Sequence, residues 1–243
     1  WAARNELTDR DFAVKFLLPE LSKNEEALNR FFLEARACGQ IRHPAIVDVY
    51  DMGTAEDGSP YLVMELLEGE AFDQRIVREG RQRPAKVCRW VSTVARGLEA
   101  AHGRGLVHRD LKPGNIFFTT GKNGEELPKV LDFGISKTNA GVAGTRCEFV
   151  RTSTGTVLGS PAYMSPEQAQ GTAEIDARTD VWSLGVMMYE ALAGKLPFDA
   201  PNYNALMQAI INEPHLPLNL VTSEVPLVLS ELVDETLKKN RVE

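Results

Sequence analysis

Cysteine is scarce in this 243-residue chain, which has Cys38, Cys88 and Cys147 and no others. An odd number cannot pair completely within one chain, and the three do not stand at metal-ligand spacing. A disulfide scaffold and a zinc module are therefore not expected, and a reduced compartment is. Long apolar runs are missing too. The longest, over residues 181–193, is too short for a bilayer, which takes about 20 residues. No signal peptide is visible, although a membrane anchor elsewhere in a longer protein stays open. Basic charge is not in excess: 27 Lys and Arg against 34 Asp and Glu leave a formal charge of -7. That balance argues against a nucleic-acid binder, for which a basic face is expected. There are no internal repeats.

What is present suits a globular protein. Hydrophobic residues make up 43%, enough for real cores, and charged residues 25%. The length allows one large domain or two small ones. Residues 11–17 and 61–66 are short apolar runs bounded by turn formers such as Asp57-Gly58-Ser59-Pro60, and they read as strands. Between them, residues 24–40 carry helical spacing. Ala27, Phe31, Glu34 and Cys38 fall on one side, with Leu28, Phe32 and Ala35 beside them. His43-Pro44 is expected to close that helix.

After Gly69 the pattern becomes helical. Val87, Val91, Val94, Leu98 and Ala101 form a stripe that ends near Gly103. Residues 116–118 and 129–131 predict a small hairpin around 119–128, and residues 136–159 have little periodicity. Residues 180–192 are apolar nearly all round, which predicts a buried helix. Cys38 and Cys88 sit in helical apolar stripes and are expected in cores. Strands first and helices afterwards predict an α+β protein in two lobes, with the boundary near Gly69.

The polar residues fall into three blocks: His108-Arg109-Asp110-Leu111-Lys112-Pro113-Gly114-Asn115, then Asp132-Phe133-Gly134, then Ser165-Pro166-Glu167. Phosphoryl transfer needs an acceptor for a hydroxyl proton, oxygen ligands for magnesium and a cation beside the moving phosphate. Taken singly, each of these residues also fits a loop turn or a cap. Three spaced blocks in this order are not explained that way. Lys15, alone, reads as a strand-end lysine reaching water. Glu34, nineteen residues on and in line with a packed face, needs a partner.

These blocks resemble the protein-kinase signature, in the phrasing of the bacterial Ser/Thr kinases of that superfamily. The resemblance implies the bilobal kinase fold, α+β, with a small β-rich N-lobe carrying one helix over residues 1–69 and a larger helical C-lobe over 70–243. It implies ATP as phosphoryl donor with magnesium, or manganese in its place. Lys15, paired with Glu34, would hold the α- and β-phosphates. Asp110 would act as base or orienter for the substrate hydroxyl, Lys112 would sit near the γ-phosphate, and Asn115 and Asp132 would ligate the metal. Met64 would be the gatekeeper, Glu65 and Leu67 would offer backbone groups to adenine, Ala13 and Phe117 would sandwich the ring, and Glu70 would touch the ribose.

The same resemblance makes His108 structural, stacked with Phe133, Cys38 and Val49, and makes Asp180 an anchor for the catalytic loop. Arg109 would receive a phosphate from an activation loop in which Thr152 and Thr154 match an autophosphorylated pair. Ser160 would bridge Asp110 and Lys112. Gly114 leaves the position after Pro113 without a carboxylate, which weakens any preference for basic peptides. The glycine-rich phosphate loop of the family is not in the chain, since Trp1 stands fourteen residues before Lys15. The first strand with that loop, and the last helix, are expected either to lie outside this segment or, for the loop, to be missing from the protein, in which case ATP affinity and activity would suffer. The expected partners are proteins bearing Ser or Thr hydroxyls, with a kinase homodimer open and no nucleic acid. The expected location is cytoplasmic, including the cytoplasmic part of a single-pass receptor. The alternative is a pseudokinase or nucleotide-responsive scaffold, and a small-molecule phosphotransferase is a third class.

Overall fold

The computed structural model describes residues 1–17, 25–121, 124–133, 160–172 and 175–240. The chain divides into two compact units. The first holds Trp1–Glu70, Thr93–His108 and Ile116–Asn139, and the second holds Ala71–Ser92, Arg109–Asn115 and Ala140–Glu243. The first switch between units thus falls just past Gly69, and the chain then re-enters the first unit twice.

The first unit is built on an antiparallel sheet of β1 (Ala2–Asn5), β2 (Arg10–Phe16), β3 (Val49–Thr54) and β4 (Pro60–Glu65), in the order β1-β2-β4-β3. Its register sets Ala13 opposite Met64 and Lys15 opposite Leu62. Helix α1 (Glu25–Gly39) buries Phe31 and Ala35, four residues apart on one face, in a cluster with Leu17 and Leu62. The helix stops at Gly39 rather than at His43-Pro44. The His43 ring has a different task, accepting the Ala45 amide on Nδ1 at 3.2 Å. Strands β1 and β3 lacked a sequence signal: β1 is exposed at every position, and β3 reads Val-Tyr-Asp-Met-Gly-Thr without clean alternation.

A second sheet in the order β5-β6-β7 joins β5 (Gly69–Ala71), β6 (Ile116–Thr120) and β7 (Glu126–Val130). The hairpin is longer than its apolar cores suggested, pairing from Ile116–Val130 out to Thr120–Glu126. Backbone pairing extends it through Thr119, Thr120 and Glu126, and Pro128 is tolerated because β7 is an edge strand. Gly69 is required at its position. Its φ is +148°, and a Cβ there would lie 1.9 Å from the Phe118 carbonyl oxygen.

The helices of the second unit are α2 (Phe72–Glu79), the first part of α3 (Pro84–His102), α4 (Pro166–Gln170), α5 (Arg178–Ala193), α6 (Tyr203–Asn212), α7 (Leu218–Val221) and α8 (Leu227–Thr236). Helix α5 is its axis, buried at every position from Trp182 to Tyr189. It ends where Gly194 takes a left-handed φ of 72° and returns its amide to the Glu190 carbonyl. Its neighbour α8 comes so close at Gly185 that a Cβ would meet Thr236 Oγ1 at 2.0 Å. Cys88 corrects an expectation, because it is exposed while Cys38 is buried. One step past the buried Val87 turns a helical residue about 100° off the stripe. Among the described residues, no helix is long and apolar enough to cross a membrane.

Candidate active site

The nucleotide-directed candidates Ala13, Lys15, Glu34, Met64, Glu65, Leu67, Glu70, Phe117 and Asp132 all belong to the first unit. Asp110, Lys112, Asn115 and Arg109 all belong to the second.

In the first unit, Lys15 reaches from β2 to Asp132, just past β7, with Nζ 2.6 Å from Oδ1. Both side chains are about one-third exposed, so water still reaches this pair. Asp132 adopts a left-handed φ of 50°, a conformation that Asp tolerates better than most residues. It turns the chain at the end of β7 so that the carboxylate, not the backbone, meets the lysine. Glu34, the partner expected for Lys15, lies half-buried on α1 with its Oε2 enclosed. Next to Asp132, the fully buried Phe133 ring packs 5.0 Å from the His108 ring. His108 Nε2 lies 2.8 Å from the Leu131 carbonyl oxygen. A carbonyl only accepts, so this nitrogen carries the proton, and His108 is a structural donor there. Cys38 is sealed in the same unit. Burial, then the charges of Asp132 and Asp48, push its thiol up to about 12.

Met64 and Glu65 end β4, with Ala13 beside them on β2. Phe117 is half-buried on β6, and its Cε1 lies 3.2 Å from the place a Gly69 Cβ would take. Glu65 is fastened by its side chain. Oε1 accepts from Lys129 Nζ at 2.5 Å and from the Asp48 amide at 2.8 Å. Sequence reasoning overlooked Lys129, whose one signal was a lysine inside the strand Glu126–Val130.

In the second unit, Lys112 Nζ lies 3.1 Å from Asp110 Oδ2. Asn115, 8% exposed in a 3-10 turn over Pro113–Asn115, donates Nδ2 to the Asp110 carbonyl at 2.8 Å. That bond fixes the amide through its nitrogen, and the Oδ1 of the same group is the atom with metal-ligand chemistry. Arg109 takes a left-handed φ of 62°, and its peptide is held at both ends. Its amide donates to Oδ1 of the wholly buried Asp180 at 2.9 Å, and its carbonyl accepts Gln168 Nε2 at 2.7 Å. Such a conformation costs on the order of 1–3 kcal/mol and persists where surroundings impose it. Gln168 was not foreseen. The signal for it is the capping pattern Ser165-x-x-Gln168, in which its Oε1 accepts the Ser165 amide at 3.1 Å.

The turn Ser160–Tyr163 precedes α4. Tyr163 donates its hydroxyl to Glu190 Oε2 at 2.7 Å, and Ser183 Oγ holds the Tyr163 carbonyl at 2.8 Å. Burial, with Glu190 beside it, drives the Tyr163 pKa well above that of an ordinary tyrosine; burial likewise raises Glu190. Thr152, Thr154 and Gly134 lie outside the described residues, as does the side chain of Ser160.

A metal ion needs hard oxygen donors, and magnesium takes one or two carboxylates together with phosphate oxygens. The Asp132 carboxylate and the Asn115 amide oxygen have the right chemistry. Among the described residues, no group of three or more His, Cys, Asp or Glu forms a cation cage. Each of these oxygens, taken within its own unit, has the character of a ligand for a metal that substrate phosphates complete.

Each unit thus carries fixed polar groups of the kind phosphoryl transfer uses: the Lys15–Asp132 pair in the first, and in the second a partly buried Asp-Lys-Asn loop anchored by Asp180. The chain belongs to the protein kinase domain family, whose model matches residues 1–241. Among curated proteins it is 40% identical over 202 residues to the serine/threonine-protein kinase pkn3 of Myxococcus xanthus, covering 82% of this chain and 36% of the relative. It is 39% identical over 226 residues to PknA of Corynebacterium glutamicum, covering 90% and 46%. To PknA of Mycobacterium tuberculosis it is 38% identical over 245 residues, covering 99% and 53%. The chain thus spans between about a third and a half of the length of these relatives. The family uses ATP and a divalent metal.

Proposed function

We propose that this chain is the catalytic domain of a protein serine/threonine kinase that moves the γ-phosphoryl group of ATP to Ser or Thr hydroxyls of proteins. Support comes above all from the Asp110–Lys112–Asn115 loop, in which a carboxylate, an ammonium and an amide oxygen are fixed by bonds within one unit. Asp110 takes the proton of the acceptor hydroxyl as its oxygen bonds to the γ-phosphorus, and the bond from that phosphorus to the ADP oxygen breaks. Lys112 supplies positive charge beside the transferring group, and Lys15 does so for the other phosphates. Asp132 and Asn115 would hold magnesium, or manganese, which offsets phosphate charge when bound. Glu65 and Leu67 present backbone groups to adenine, between Ala13 and Phe117, with Met64 behind and Glu70 toward the ribose. Two hydroxyls in the sequence before Gly159, those of Thr152 and Thr154, become phosphorylated by the enzyme itself, and Arg109 receives the charge. Scarce cysteine fits a cytoplasmic location.

Incubation with γ-labelled ATP, magnesium and casein tests this. Asp110→Asn should lower label transfer by about 10²–10⁴-fold, the usual loss when a positioned acid or base is removed. Mass spectrometry of the same sample should find phosphate on Thr152 or Thr154. Transfer no greater than that of the mutant would favour a nucleotide-responsive scaffold. Both threonines unmodified would remove the switch and leave the enzyme.

A further inference from the structure

The first unit contains a buried charge that the phosphoryl-transfer chemistry does not use. Lys129, on β7, is 8% exposed, and lysine is almost never this buried unless paired. Its ammonium meets Glu65 Oε1 at 2.5 Å and lies 3.4 Å from the Ile46 carbonyl oxygen. Glu65 and Asp48 also clasp each other. The Asp48 amide donates to the Glu65 carboxylate at 2.8 Å, and the Glu65 amide donates to the Asp48 carbonyl at 3.0 Å. The segment leading to Asp48 is pinned in turn to β7, with Val47 donating to the Val130 carbonyl at 3.0 Å and Val130 to that of Ala45 at 2.7 Å. Three pieces of chain therefore converge on one ammonium: the end of β4, residues 45–48, and the strand that continues to Asp132.

We propose that Lys129 is a positioning residue for the nucleotide: by fixing the Glu65 carboxylate it sets the backbone of residues 65–67 that receives adenine, and it ties that backbone to β7, the strand that leads to Asp132. The proposal rests on the assignment of residues 65–67 to adenine given above. Glu65 then has two separate tasks, its backbone for the base and its side chain for the fastening. Removing the ammonium leaves a half-buried carboxylate without its counter-charge, and the end of β4 must move to hydrate it.

The purified chain with a fluorescent ADP analogue gives a readout that does not depend on turnover. Lys129→Met should weaken analogue binding by about tenfold, the typical loss of one charge-assisted hydrogen bond, and should raise KM for ATP to match while kcat stays within about twofold. Lys129→Arg, which keeps the charge, should recover most of the affinity. Glu65→Ala should show the same loss, and the double variant no more than either single one. Unchanged analogue affinity in folded Lys129→Met, or a fall in kcat at constant KM, overturns the proposal. If Lys129→Met does not fold, the decision passes to Lys129→Gln judged the same way, and failure of both to fold makes Lys129 a stability residue and also overturns it. If the unmodified chain binds no analogue, the assignment of adenine fails and takes this proposal with it. Binding that Lys129→Met leaves untouched sinks this proposal alone.

Discussion

Two cysteines on two helices show how strongly one residue's environment sets its chemistry. Cys38 is enclosed and its thiol is pushed up to about 12, whereas Cys88 is exposed. The thiolate is the reactive form. Iodoacetamide at pH 8 should therefore alkylate Cys88 in the folded chain and leave Cys38 intact until denaturant is added, as peptide mapping would show. Burial, then the charge of Arg96, holds the His43 pKa below the ordinary 6.5. The folded chain thus binds this proton less readily than the unfolded chain does. The His43 contribution is complete above about pH 6.5 and is lost as pH falls below it. Thermal melts between pH 5 and 8 should lose part of their acid-side decline in His43→Asn, which keeps an acceptor for the Ala45 amide and cannot charge. An unchanged difference across that range would show that another group is responsible.

At the scale of elements, close approach governs what the sequence permits. Helix α5 has one small residue, Gly185, where α8 crosses, and a methyl group there would fall 2.0 Å from Thr236 Oγ1. Gly185→Ala should cost about 1–3 kcal/mol by overpacking despite its better helix propensity, and Thr236→Ala should recover part of that loss. Denaturant midpoints of the two variants and their combination would settle it; a stabilised Gly185→Ala would mean the two helices separate readily. Elements with a hydrophobic period, α1 and α5 above all, were legible in the sequence because burial and periodicity coincide in them. Strand β1, exposed throughout, had no such signal, and β7 was read short because Glu126 and Pro128 conceal a strand held by backbone pairing. Helix α1 was placed to within a residue, but its stop was assigned to His43-Pro44 when the helix ends at Gly39.

For the molecule as a whole, net charge is the simplest observable. At -7 the surface repels polyanions, so the chain should pass through immobilised heparin at low salt; retention would reveal a basic face that the total conceals. The candidate site was legible as a set of residue types rather than as a geometry. Asp110, Lys112, Asn115, Lys15 and Asp132 stood out as candidates because phosphoryl transfer allows few residue types in such blocks, and the structure pairs Lys15 with Asp132 and Lys112 with Asp110. Gln168, which holds the Arg109 peptide, and Lys129, which holds the Glu65 carboxylate, were silent. Holding a peptide group or a carboxylate can be done by many side chains, and only coordinates tell which one does it.

The double fastening of the Arg109 peptide has a mechanical corollary. Gln168 grips that peptide from α4, the helix directly following the Ser160–Tyr163 turn. A pull on α4 is therefore passed through the Gln168 amide to the peptide directly before Asp110.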